Sequence, residues 1–158
     1  MPHVDSTVVI RASMPRVFIL IARPDEFARY SKHIVQVVPL GDGTHHWEVC
    51  VAGVTLEWNS VIIERRWPEY LAWRSITGIQ SSGSFALAQT KLGTMVTFDM
   101  EYHLPSKILD EVAAPMLEPL IQVAVTEVLE GIKGRLENDA EPDWSPSDNN
   151  VNGGEIIE

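Results

Sequence analysis

The sequence predicts an α+β domain in which an antiparallel sheet of about seven strands is covered on one face by a long C-terminal helix, with two short helices after the first strand. Three observations predict it. The chain opens on β-branched residues that run into a serine and a proline-started helical stretch. Period-two alternation broken by glycine turns fills residues 34–103, and apolar residues recur at three and four positions through residues 117–136.

Residues 6–11 form the first strand, because Thr7, Val8, Val9 and Ile10 favour an extended backbone. Ser13 is placed to cap a helix over residues 14–22, with Pro15 in its first turn. Pro24, Asp25 and Glu26 open a second short helix ending near Lys32, since carboxylates suit the positive end of a helix dipole. Strands follow at residues 34–40, 45–51 and 54–66, joined by Gly41-Asp42-Gly43 and Ala52-Gly53, and Pro68 stops the ladder after the third of these. Further strands are expected at 70–77, 84–88 and 94–103, with turns at 78–83 and 91–93.

In the last strand Val96, Phe98, Met100 and Tyr102 alternate with Thr97, Asp99 and Glu101, so one face is apolar and needs a cover. Leu117, Ile121, Val125, Val128, Ile132 and Leu136, flanked by Leu120 and Ala124, supply that cover from one amphipathic helix. Pro115 and Pro119 remove backbone donors, so residues 106–114 read as a separate short helix and the long one as starting near 116–119. Beyond Asn138 the composition turns to Asp, Glu, Pro, Ser, Asn and Gly. Residues 1–140 are therefore expected to be the domain and 141–158 a disordered acidic tail.

The 158 residues suffice for one core, and the net charge of -10 repels phosphate backbones and anionic headgroups, which excludes nucleic acid as an expected partner. No stretch approaches the length of a membrane-spanning helix. Cys50 stands alone and reads as a small buried residue in a reducing compartment, so a cytoplasmic location is expected. His45 and His46 are adjacent in a strand and point to opposite faces, which disfavours a shared metal. No phosphate-cradling loop or Ser-His-Asp arrangement is legible, no cofactor is expected, and a homodimer is left open.

The order of elements is joined by stretches that are themselves familiar. They are residues 8–13 entering Arg16-Val17-Phe18, residues 56–60, Leu71-Ala72-Trp73-Arg74-Ser75 leading to Gly78, the Gly93-Thr94 turn, and residues 128–137. In this order, over residues 5–138, the chain resembles the SRPBCC (START, or helix-grip) superfamily and, within it, the polyketide cyclase/dehydrase group. The resemblance implies a helix-grip fold, with a curved sheet wrapped around the terminal helix and an elongated cavity between them. It implies a hydrophobic small molecule as partner, such as a polyketide, a quinone or a lipid. The alternative it implies is an aldol cyclisation and dehydration of a polyketide in the same cavity. The aromatase/cyclase members carry Trp, Ser and Arg at alternate inward positions of the long strand. Here those positions read Leu56, Trp58, Ser60 and Ile62, so Trp and Ser are kept and Arg is lost. His33-Ile34 stand where those enzymes have a tyrosine, and Arg74 matches one of their cavity arginines.

The candidate ligand-binding residues are Trp58, Ser60, Ile62, Arg74, Phe98, Met100, Tyr102, Leu120 and Ala124, with Arg74 and Ser60 as catalytic candidates. Each has a plainer reading. Trp58 and Ser60 make an ordinary core aromatic and a satisfied hydroxyl, and Leu120 and Ala124 suit plain packing against the sheet. Strand parity leaves both faces open to Arg74; turned inward it is a cation in an apolar cup that needs an anion, and turned outward it is solvated. A third reading has the acidic tail and an exposed strand edge recruiting a protein partner.

Overall fold

Ser13 stands where the first strand gives way to the first helix, at the N-cap position with an extended backbone (φ -71°, ψ 154°). The computed structural model in which it is seen describes residues 2–104, 106 and 113–139. The hydroxyl of Ser13 makes no capping bond, contrary to expectation. Its side chain is buried, and its backbone carbonyl accepts the first bond of the helix from the Val17 N–H at 3.1 Å.

The chain runs β1 (His3–Ile10), α1 (Met14–Ile21), a 3-10 helix (Pro24–Arg29), then β2 (Ile34–Gly41), β3 (Thr44–Val51), β4 (Val54–Arg66), β5 (Tyr70–Gly78), β6 (Gln80–Thr90), β7 (Gly93–His103) and α2 (Ala114–Asp139). The seven strands form one antiparallel sheet in the order β1-β7-β6-β5-β4-β3-β2. After β1 the two short helices carry the chain to the far edge, and the remaining strands meander back until β7 pairs with β1, Val4 opposite Met100 and Ile10 opposite Thr94. The sheet is curled around α2, which is the helix-grip architecture the sequence predicts.

Among the boundaries that differ from expectation, three have a local reason. The second helix is a single 3-10 segment that ends at Arg29, with Tyr30 as its C-cap. The expected turn at 78–83 shrinks, and β6 starts at Gln80, because Gly83 lies inside a strand. A Cβ there would lie 2.3 Å from Cη2 of Trp73 and 2.6 Å from the Asp99 carbonyl oxygen, so this glycine makes room for an indole. Finally, α2 begins at Ala114 and continues through Pro119. Pro115 occupies the first turn, where no intrahelical donor is needed, and Pro119 costs one hydrogen bond near the start. Most of the short helix expected over 106–114 and the whole tail 141–158 lie outside the described residues.

The long helix is fastened to the open edge of β1, whose outward backbone groups have no strand partner among the described residues. Gln122 Nε2 donates to the Asp5 carbonyl at 2.9 Å, Lys133 Nζ donates to the Val9 carbonyl at 2.8 Å, and the Arg11 N–H donates to Glu137 at 2.9 Å. Lys133 also pairs with Glu137 at 2.8 Å. Burial alone would raise the Glu137 carboxyl, yet the Lys133 ammonium and the Arg11 N–H hold it below its ordinary value.

At the other edge Arg135 donates to Glu26 at 2.7 Å and to the Tyr30 hydroxyl at 3.1 Å, and Ser31 donates to Glu127 at 2.8 Å. The Arg135 bond holds the Glu26 carboxyl below its ordinary value despite opposing burial. Ile10, Val17, Phe18, Ile21, Val51, Val96 and Ile132, all fully buried, form the tight core below this clamp. No helix among the described residues is long and apolar enough to cross a membrane.

Candidate functional site

Pairing of β3 with β4 sets His45 opposite Ser60 and Trp47 opposite Trp58. Alternation turns all four toward the helix, where they line one side of a cavity of about 130 Å³ between the sheet and α2. The opposite side comes from Ser81 and Phe85 on β6, Phe98, Met100 and Tyr102 on β7, and Trp73 on β5. The roof is Ile121, Ala124, Val125, Val128 and Leu129 of α2, and Phe27 of the 3-10 helix closes one end.

The rings form a continuous chain. Trp58 stacks on Trp47 at 5.5 Å with 7° between planes; Trp47 meets Phe27 at 6.0 Å, Phe27 meets Phe85 at 6.3 Å, Phe85 meets Phe98 at 5.0 Å, and Phe98 stacks on Trp73 at 5.6 Å. Offset and edge-on pairs of this kind are worth about 0.5–1.5 kcal/mol each beyond the area they bury. The wall is therefore stiff as well as apolar.

Polar atoms are few and placed within this apolar surface. Trp47 Nε1 donates to Ser60 Oγ at 2.9 Å, which leaves the Ser60 hydroxyl proton free to serve another acceptor. His45 Nδ1, Trp58 Nε1 and Ser81 Oγ are buried and have no hydrogen-bond partner among the described residues. A buried polar group left in this state costs about 1–3 kcal/mol, so three in one cavity amount to a substantial unused capacity for hydrogen bonding. Burial pushes the His45 imidazole below its ordinary value and Arg65 adds to the effect, while Asp25 and the Gly43 carbonyl oppose it; the ring is neutral at neutral pH. Among the described residues, no lysine, arginine or carboxylate contributes to the lining.

Of the residues expected from the sequence, Trp58, Ser60, Ile62, Phe98, Met100, Tyr102 and Ala124 line the cavity. Arg74 does not: it is exposed, with its guanidinium 3.5 Å from the Ser75 carbonyl, because Trp73 beside it takes the inward position. Leu120 is half-buried against the core and stands outside the wall. His45, weighed in the sequence only as a metal ligand or acid-base group, also lines the wall, as do Trp47, Trp73, Phe27, Phe85 and Ser81, none of which was a ligand-binding candidate. For β3 the signal was available, since the alternation that separates His45 from His46 puts Trp47 and Val49 on the His45 face. For Phe27, which comes from a 3-10 helix, no periodicity marks the inward face.

The fold can be set beside known proteins. A protein of Thermus thermophilus superposes with a TM-score of 0.76 at 20% identity, covering 89% of this chain and all (100%) of its own. A START superfamily protein from Mycobacterium smegmatis gives 0.68 at 15% identity over 86% of this chain and 97% of that one. The Zhui aromatase/cyclase from a Streptomyces species gives 0.67 at 20% identity over 85% and 93%. At these identities the likeness speaks for the fold. No curated protein matches the sequence. The family model described as polyketide cyclase/dehydrase and lipid transport matches residues 1–137, most of the 158-residue chain, and the chain belongs to that family.

Proposed function

We propose that this domain binds an apolar small molecule between its sheet and α2 and releases it unchanged. The observation that carries the reading is the cavity itself: an aromatic wall, an aliphatic roof, and a few polar atoms with nothing to bond among the described residues. Pockets of this make-up take ligands mainly by apolar burial and orient them by a small number of hydrogen bonds. A lining without a charged group among the described residues favours a polyketide-, quinone- or lipid-like body over an anion.

The test is native mass spectrometry of freshly purified protein, followed by solvent extraction of whatever travels with it. A stoichiometric apolar passenger, recovered chemically intact, supports carriage. Polar metabolites only, or a passenger displaced by none of a panel of apolar compounds, counts against it.

The second reading is cyclisation and dehydration of a polyketide in the same cavity. It is favoured by one observation, the buried His45 imidazole directly across the strand pair from the Ser60 hydroxyl, a pair able to move a proton. Turnover of a poly-β-ketone substrate to a cyclised, dehydrated product that is lost in His45→Phe would establish it.

A further inference from the structure

Two unpartnered polar atoms, Trp58 Nε1 and His45 Nδ1, and the free hydroxyl proton of Ser60 between them call for a ligand with matching groups, and their chemistry is restrictive. An indole N–H only donates, so Trp58 Nε1 requires an acceptor. The Ser60 hydroxyl already accepts from Trp47 and has a proton to give. His45 is 7% exposed, lies directly across the strand pair from Ser60, and presents Nδ1 with no partner among the described residues. Cross-strand neighbours lie about 5 Å apart at Cβ, and positions two apart on a strand about 7 Å. One oxygen-bearing group can therefore serve this patch. With the His45 proton on Nε2, Nδ1 is an acceptor, and the group must then accept from Ser60 or Trp58 and, in the same place, donate a proton to His45.

A hydroxyl on an unsaturated carbon does both, whereas a carboxylate offers no proton and meets no cation among the described residues of the wall. The stacked rings of Trp47 and Trp58 form the adjoining surface, which suits a flat ring rather than a flexible chain. The volume agrees in scale: a dry cavity of about 150 Å³ takes one benzene ring, and this one measures about 130 Å³.

Resting on the reading that this cavity binds a small molecule, we infer that His45, with Ser60 and Trp58 beside it, is the polar anchor for an uncharged phenolic ligand. The ring lies against the tryptophans, its hydroxyl donates to His45, and its oxygen accepts from Ser60 or Trp58.

The experiment is an NMR titration of the full chain with three single-ring probes of matched shape: p-cresol, toluene and p-toluate. Toluene is the more hydrophobic of the first two, so apolar burial alone ranks it above p-cresol. The expected result is p-cresol binding about threefold or more tighter than toluene, the gain one or two buried hydrogen bonds supply, with p-toluate weakest. In His45→Phe the order of p-cresol and toluene inverts while toluene still binds, and in Trp58→Phe, which keeps a ring and loses the N–H, the p-cresol preference narrows. Equal or inverted affinities in the natural sequence, or a preference that survives both substitutions, overturns the anchor and leaves the apolar cavity standing. Failure of all three probes to bind overturns the anchor and the binding reading together.

Discussion

The six-membered ring of Trp73 lies directly over Gly83 on the neighbouring strand, so closely that a single added methyl at position 83 would meet both the indole and the Asp99 carbonyl. This contact lets a large side chain lie flat on the concave face and stack on Phe98. Gly83→Ala is expected to destabilise the fold by about 1–3 kcal/mol, the usual cost of overpacking, and to displace the Trp73 ring. A thermal melt together with the tryptophan emission spectrum checks this; an unchanged spectrum and melting temperature would show the strand can absorb the methyl.

Ala124 faces the cavity from the helix side and is buried there. Ala124→Leu is expected to fill part of the space, with the burial of added carbons offsetting the strain of fitting them. Passenger occupancy or probe affinity should fall about tenfold or more while the melting temperature stays within about 2 °C. A fall in affinity accompanied by unfolding would instead mark the position as tightly packed.

Arg74→Ala should leave probe affinity unchanged, because the side chain is exposed and its neighbour Trp73 holds the inward position. The contribution to stability is that of an ordinary surface residue, within about 0.5 kcal/mol. A several-fold loss of affinity in a titration would show that Arg74 reaches the ligand by some route other than the cavity wall.

The neutral His45 makes stability depend on pH in a definite direction. Its folded value is depressed below 6.5, so the unfolded chain takes up the proton first. The contribution is complete above about pH 6.5 and is lost as the pH falls toward the depressed folded value. Burial sets the depression, Arg65 adds to it, and Asp25 and the Gly43 carbonyl limit it. Melting curves at pH 7.5 and 5 should show a smaller acid-side loss in His45→Phe than in the natural sequence; equal losses would mean the ring charges freely in the folded state.

Glu26 behaves in the same sense at lower pH. Its bond to Arg135 depresses the carboxyl below 4.5, so its stabilisation is present above that value and is lost as the pH falls through the lower folded one. Both side chains are partly solvated, which limits the effect to about 1 kcal/mol or less. Arg135→Met should remove it and loosen the 3-10 helix against α2. Hydrogen exchange of residues 27–31 measures that loosening, and unchanged protection would assign the clamp to Ser31 and Glu127 instead.

Much of this fold was legible because alternation and helical periodicity are local properties. Val96, Phe98, Met100 and Tyr102 announce their face in the sequence; alternation puts Trp58, Ser60 and Ile62 on one face, and the family resemblance implied that this face is the inward one. The order of seven strands and the covering helix followed from where glycine and proline interrupt those periods. Arg74 shows the limit of such reasoning: its strand carries a large apolar side chain at Trp73 and a cation beside it, and two parities are open until neighbouring strands are in register.

The tertiary structure decided how the site is assembled. That His45 faces Ser60 rather than water, that Trp73 finds its space over Gly83, and that Phe27 joins the ring chain from a 3-10 helix are consequences of pairing between segments distant in sequence. Where an element has a clear period, as in residues 96–102 and in α2, sequence determined which residues share the inward face, because backbone geometry fixes that. Which of them meet, and which polar atoms are left without a partner, depended on strand register and on where α2 lies against the curled sheet. Those are set by the packing of the whole chain.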